Sequence, residues 1–329
     1  MPAKECVFYK QLKEDKVQCL ACQHYCVITP GKVGVCGVRK NIEGKLFLMV
    51  YGKVIAENID PVEKKPLYHF LPGSKAYSVG TIGCNFKCSF CQNYDISQES
   101  NTEKGLEVTA SKIVQAALKT KCESIAYTYT EPTIAIEFWI EVMKLAKKKG
   151  LKNILVTNGY TSKEVMKKIY KLVDASNIDL KAFSEKFYST ICKAKLAPVL
   201  ETIKLSKKLG IWVELTTLIV TNKNDSMKEI EEVAKFVKSV DPNMPLHLSK
   251  YFPTYKMTEP PTPMNTLTNA FKICKKHLNH VYLGNIKADN NTYCSKCNTL
   301  LIRRDYELTS YLNGNKCPKC KKELEGVFK

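Results

Sequence analysis

Arginine is nearly missing from this chain of 329 residues: it occurs at Arg39, Arg303 and Arg304 and nowhere else. Proteins that read nucleic-acid sequence lean on arginine, whose planar fork makes paired contacts to phosphate and guanine that lysine cannot copy. The formal charge of +19 is therefore almost all lysine. It reads as a solvated surface, and nucleic acid is not an expected partner. No run of 18 apolar residues exists, so no membrane span is expected. Met1 to Lys16 mixes charged with apolar residues and lacks the apolar core and small-residue cleavage site of a secretion signal. The expected location is cytoplasmic. Repeats and low-complexity tracts are absent as well. With 44% apolar and 25% charged residues, wholesale disorder is excluded.

Cysteine is what the chain has in excess. There are 15, and 11 of them fall in three clusters. A reducing compartment disfavours disulfides, so clustered cysteines read as metal ligands. Cys6, Cys122, Cys192 and Cys274 are left over, and buried packing is the expectation for each.

Three regions follow. Residues 1–74 form a cysteine-rich N-terminal region with turn signals at Pro30-Gly31 and a strand-like run from Lys45 to Tyr51. Residues 75–288 alternate strands with helices. The first strand is Ala76 to Ile82, and Thr109, Ser162 and Ser226 are helix caps. Six strand-then-helix units and a short last strand imply a parallel sheet with right-handed crossovers. That is two units short of a closed eight-fold barrel, so the expected fold is α/β, an open, partial (β/α)6 barrel. No glycine-rich phosphate loop follows the first strand, which argues against a nucleotide-binding doubly wound sheet. Residues 289–329 form a small cysteine-paired module.

The three cysteine sets differ in spacing. Cys294-x2-Cys297 and Cys317-x2-Cys320 make two paired hooks joined by a hairpin at Arg303 to Tyr311. Two such hooks make a tetrahedral four-thiolate site, so a structural zinc is expected, with iron as the alternative. The module resembles a zinc ribbon or rubredoxin-like fold. Cys19, Cys22, Cys26 and Cys36, with His24 among them, suffice for zinc or for a second [4Fe–4S] cluster. Spacing does not choose between these, and a structural metal is the working expectation. The central set, Cys84-x3-Cys88-x2-Cys91, follows the first barrel strand, where barrel active sites form. Three thiolates on a four-iron cluster leave one iron open.

This motif, with Phe90 before its last cysteine, resembles the radical S-adenosylmethionine superfamily. A narrower resemblance covers most of the chain. It rests on Cys19 to Cys26, Gly34 to Arg39, Glu63 to Phe70, Tyr127 to Thr133, Thr157 to Tyr160 and Asp179 to Phe183. These segments are similar to the AmmeMemoRadiSam-system radical enzymes, homologues of the pyruvate formate-lyase activating enzyme. The resemblance implies a barrel of the radical S-adenosylmethionine type. It also implies a [4Fe–4S] cluster on Cys84, Cys88 and Cys91 and S-adenosylmethionine as the second cofactor. Cleavage of that cofactor gives a 5′-deoxyadenosyl radical, which takes hydrogen from a substrate. An external electron donor such as flavodoxin or ferredoxin is implied, and so are Memo-like and AMME-like companions.

Strand ends supply the other cofactor-binding candidates. Glu131 ends the second barrel strand, where similar enzymes hold the methionine ammonium, although Pro132 behind it also suits a plain helix cap. Thr157 and Asn158 end the third strand, and Asn158-Gly159 equally makes a tight turn. Asp179 and Lys181 flank Leu180 at the fourth strand end. Charges there must pair with each other or bind something, and in similar enzymes the pair touches the cofactor. His247 is as well explained by core hydrogen bonding as by a site. No residue is singled out as a catalytic acid, base or nucleophile. The substrate is expected to be a protein, activated at a glycine, or another bulky molecule, because an incomplete barrel is open at its side and the flanking modules are placed to cover it. A small-molecule biosynthetic or modifying role is the alternative, and a non-enzymatic zinc-ribbon binding protein is a third.

Overall fold

The computed structural model describes residues 3–305 and 307–328. Eight strands form its main sheet: β1 Ala56–Pro61, β2 Lys75–Gly80, β3 Ser124–Tyr127, β4 Lys152–Thr157, β5 Ala175–Asp179, β6 Trp212–Ile219, β7 Leu246–Lys250 and β8 Val281–Gly284. They lie side by side in chain order. β1 runs antiparallel to β2, and every later pairing is parallel. Among the described residues β1 and β8 are free edges, so the sheet stays open.

Parallel neighbours need crossovers, and six helices supply them: α1 Ala110–Lys119, α2 Ile136–Lys148, α3 Lys163–Ile169, α4 Leu196–Lys208, α5 Met227–Val240 and α6 Met264–Lys275. Their starts follow from local chemistry. The hydroxyls of Thr109, Ser162 and Ser226 accept hydrogen bonds from the backbone N–H groups of Lys112, Val165 and Glu229, which would otherwise be orphaned at a helix start. In α5, Ile230, Val233, Ala234 and Val237 repeat at helical spacing and are all buried. Strand β3 is buried at every position, as a parallel strand covered on both faces must be. After β5 a short helix, Glu185–Phe187, widens into a π-helical turn, Tyr188–Cys192, and ends at Lys193 with φ 56°.

The expected boundary near residue 74 falls inside this unit. β1 belongs to the main sheet, and the segment after it fills the sheet's inner face. Val62, Leu67, Phe70 and Leu71 pack on Ala76, Ala126, Ile154 and Ala175. Three alanines on neighbouring strands leave the room this plug occupies. Where the plug meets the starts of the later strands, polar groups must be satisfied internally. The buried Glu214 carboxylate accepts from the N–H groups of Tyr68 (2.9 Å) and His69 (2.8 Å) and from Trp212 Nε1 (3.0 Å), and lies 2.7 Å from His247 Nε2. His247 is thus a core hydrogen-bonding partner at the far end of the sheet from the strand-end loops.

The C-terminal module has strands β9 Thr292–Tyr293, β10 Leu300–Arg304 and β11 Leu308–Ser310 around a core of its own that includes Leu301, Ile302 and Leu324. It docks on the plug. Arg304 Nη2 donates to the Tyr68 carbonyl (2.6 Å), and Val327 exchanges backbone hydrogen bonds with His69 and Leu71 (2.8 and 2.7 Å). This corrects the expectation that both flanks cover the open side beside the reacting end: the C-terminal module seals the opposite end. The N-terminal flank is two small antiparallel sheets whose buried residues join the barrel's outer core. The Arg39 guanidinium, held by Glu137 and the Ile134 carbonyl, pins it there.

Two histidines at the plug are kept neutral. Burial, then His280, holds His69 well below its ordinary pKa, and burial, then Lys275, brings His280 down to about 3. Both ionise more readily when unfolded, so their contribution is complete above pH ~6.5 and is lost as pH falls toward the folded values. Between about pH 6.5 and 5, stability should drop by up to about 1.4 kcal/mol per pH unit for each. Thermal unfolding across that range should show the loss, and His280→Gln should remove about half of it. A flat profile would contradict buried neutral imidazoles.

Candidate active site

One cavity opens at the C-terminal ends of the parallel strands. Its walls include Lys65, Cys84, Cys88, Cys91, Glu131, Thr157, Asn158, Asp179 and Lys181. All eight residues singled out as cofactor candidates therefore face one space, about 1360 Å³ counted out into solvent. No described residue before Lys64 or after Asn285 lines it, so neither cysteine-rich flank forms its wall.

The thiol-bearing loop leaves β2 through Gly83, whose φ is +88°. A side chain there would place its Cβ 2.7 Å from the Cys36 carbonyl and from Val38, so only glycine fits. The loop is tied down from outside. Lys87 N–H donates to the Cys192 carbonyl (3.0 Å) and Ser89 N–H to that of Ile191 (3.3 Å). His24 Nε2 lies 2.8 Å from the Asn85 carbonyl. Burial pushes the Cys84 and Cys91 thiols up, and Cys88 is raised first by the Cys192 thiol beside it and then by burial. Such thiols give up their protons when a metal supplies the compensating charge. The three sulfurs do not all lie within 4.8 Å of one another.

Glu131 is 1% exposed. Its carboxylate accepts from Thr133 N–H (3.0 Å), Thr157 Oγ1 (2.8 and 2.9 Å) and Asn158 N–H (2.8 Å). It caps the turn at Pro132–Ala135 and clamps the ends of β3 and β4 together. Asn158 Oδ1 accepts from Tyr160 N–H (3.0 Å), and Gly159 has φ +72°, so the expected tight turn forms. At the same time Asn158 Nδ2 donates to Asn85 Oδ1 (2.7 Å). Asp179 and Lys181 pair at 2.8 Å on the cavity wall. Burial works against the Lys181 ammonium, but Asp179, Cys88 and Cys192 outweigh it and hold its pKa above the ordinary value.

Three participants were not anticipated. Cys192, expected to be inert packing, sits buried against Cys88, behind the cavity wall. Lys65 pairs with Asp60 (2.8 Å), its ammonium 5.0 Å from the Tyr129 ring centre, on the rim. Asn85 joins the thiol loop to Asn158. Of these only Asn85 carried a sequence signal, its place inside the cysteine motif.

The other sets part company. The Cys294, Cys297, Cys317 and Cys320 sulfurs all lie within 4.8 Å of one another, close enough for a single metal ion. Thr299 hydrogen bonds pull the Cys297 thiol down to about 6. The Cys19, Cys22, Cys26 and Cys36 sulfurs are not so gathered, although all four line one small cavity.

Comparison with known proteins agrees with this geometry. Residues 78–237 match the family model described as the radical SAM superfamily. An uncharacterized protein of Methanocaldococcus jannaschii is 45% identical over 307 residues, covering 92% of this chain and 91% of that protein. A second protein of that organism, whose name provisionally makes it a glycyl-radical enzyme activating enzyme, is 30% identical over 217 residues, covering 62% of this chain and 86% of its own. Among solved structures, Streptococcus suis SuiB bound to S-adenosylmethionine shares the fold, with a TM-score of 0.51 and 14% identity over 68% of this chain and 52% of that one. The chain belongs to the radical SAM superfamily, whose members are enzymes.

Proposed function

We propose that Cys84, Cys88 and Cys91 hold a [4Fe–4S] cluster, that S-adenosylmethionine binds in the adjoining cavity, and that the enzyme abstracts hydrogen from a protein substrate, as glycyl-radical activators do. The observation that carries this is one cavity at the strand ends, walled by three thiols and a ring of polar strand-end residues. The thiols suit a cluster better than a lone ion, because their sulfurs are not gathered as those of the C-terminal set are. Bound there, the cluster supplies the electron for reductive cleavage of the cofactor's sulfonium.

The chain's residues do the positioning. The Lys181 ammonium, beside Cys88, offsets the negative charge of ligated thiolates. Asp179 orients Lys181 and offers its second oxygen to the cofactor's polar groups. Thr157 and Asn158 line the same cavity, and Glu131 fixes both. The ammonium-holding role once expected of Glu131 becomes secondary, since its oxygens already accept three donors. The sheet is open at its edges, which supports a protein over a small diffusible substrate. A flavodoxin- or ferredoxin-like donor supplies the electron, and Memo-like and AMME-like proteins are candidate companions. The C-terminal four-cysteine site is assigned a structural zinc in a ribbon-like module: its paired sulfurs lie 3.5 and 3.7 Å apart, near the ~3.8 Å of tetrahedral zinc thiolates with bonds of about 2.3 Å.

Reduced, anaerobically reconstituted protein should convert S-adenosylmethionine to 5′-deoxyadenosine and methionine, and Cys88→Ala should lose this entirely. Asp179→Asn should weaken cofactor binding about tenfold, the loss of one charge-assisted contact, with iron content unchanged. If affinity holds and only thermal stability drops, the ion pair is structural. Cys297→Ala should remove about one zinc per chain and leave iron untouched. Substrate class is tested by 5′-deoxyadenosine formation with fractionated extract: stimulation confined to the protein-free fraction would replace the protein substrate by a small molecule.

A further inference from the structure

The N-terminal flank holds a second cavity, which the thiol loop reaches through Asn85. Cys19, Cys22, Cys26 and Cys36 all line it, and its remaining walls include Ile28, Ile134 and Arg39. Asn85, from the radical motif itself, forms part of the wall. The chain has brought four thiols to one apolar-walled space from the end of a strand, Val17–Cys19, and from the loops that follow it. Burial pushes Cys22, Cys26 and Cys36 up, and each also feels the charge of Cys19, so the four share one electrostatic environment.

Two observations decide what belongs there. The first is spacing. A single zinc ion draws its four thiolates to about 3.8 Å of one another, as the C-terminal set shows. In a four-iron cubane each thiolate sits on its own corner, roughly 6 Å from the next. The N-terminal sulfurs do not meet the 4.8 Å limit that the C-terminal set meets, although all four line one cavity. The second is an orphan donor. Asn85 is 0% exposed and its Nδ2 has no hydrogen-bond partner, a costly state for a buried amide. Asn85 and Cys22 line the same cavity. A ligated Cys22 thiolate would accept the amide's hydrogen, and amide-to-sulfur hydrogen bonds are a recognised control on cluster potential. The Arg39 guanidinium, on the same wall, supplies positive charge beside the thiolates.

We infer that Cys19, Cys22, Cys26 and Cys36 bind a second [4Fe–4S] cluster, and that Asn85 links it to the active cavity. Asn85 shares a cavity wall with Cys22, its Oδ1 accepts from Asn158 Nδ2 (2.7 Å), and its carbonyl is held by His24 (2.8 Å). One asparagine thus joins the N-terminal cysteines to the Cys84 loop and to a candidate cofactor residue. The inference stands on the N-terminal geometry and does not need the proposed chemistry at Cys84.

Metal analysis of the whole chain, reconstituted anaerobically with ferrous iron and sulfide in the presence of zinc, tests it. Wild type should hold about eight irons, about eight sulfides and about one zinc. Replacing Cys84, Cys88 and Cys91 together by Ala should leave about four irons and four sulfides, with the spectrum of a four-iron cluster. Cys26→Ala combined with Cys36→Ala should also halve the iron, at unchanged zinc. Wild type with about four irons and about two zincs would overturn the inference, and that measurement needs no variant to fold. If the radical reading alone is wrong, the Cys84, Cys88 and Cys91 replacement loses no iron while the N-terminal pair still does. In the background lacking the radical cysteines, Asn85→Leu should shift the remaining cluster to a lower reduction potential. An unchanged potential would remove Asn85 from the second cluster's surroundings.

Discussion

A loop that must present three thiols at fixed positions has no helix or strand to hold it, so its neighbours must. That constraint organises the structure. The N-terminal flank closes on Gly83 so tightly that no side chain fits there. His24 holds the Asn85 carbonyl, and the turn ending at Cys192 receives the N–H groups of Lys87 and Ser89. The contacts come from two distant parts of the chain, the N-terminal flank and the turn at Ile191–Cys192. The unusual turn at Tyr188–Cys192 and the N-terminal sheets are both explained as supports for this loop.

The opposite end of the sheet obeys a different constraint. A sheet two units short of closure exposes an inner face, and small side chains at Ala76, Ala126 and Ala175 leave it hollow. The segment from Val62 to Leu71 fills that hollow, and its backbone N–H groups need acceptors away from water. Glu214 supplies two from inside, to Tyr68 and His69, and the C-terminal tail supplies one from outside, the Val327 carbonyl to Leu71. The four-cysteine module therefore acts as a stopper for the barrel floor, which explains why a small unit with its own core is carried at the end of the sheet away from the strand-end cavity.

Much of the fold could be read from the residues. The six units, the caps at Thr109, Ser162 and Ser226 and the turn at Asn158-Gly159 each depend on neighbours a few positions away. The strand Ala56–Pro61 was missed as part of the barrel because its polar, mostly solvent-facing pattern carries no mark of an edge strand in a parallel sheet. Glu131 was legible as a carboxylate at a strand end, but its commitment to Thr157 and Asn158 was not, since it needs the register of β3 against β4.

By itself the sequence determined the number, type and spacing of the thiols, the order of strands and helices, and hence where in the barrel the chemistry sits. These are matters of local geometry, in which residues a few positions apart have little freedom to be elsewhere. The tertiary structure decided which cysteine set is gathered tightly and which are not, that Cys192 rests on Cys88, and that Asn85 meets Asn158 while sharing a cavity wall with Cys22. Those relations join residues far apart in the chain, and only the packing of whole elements against one another brings them within reach.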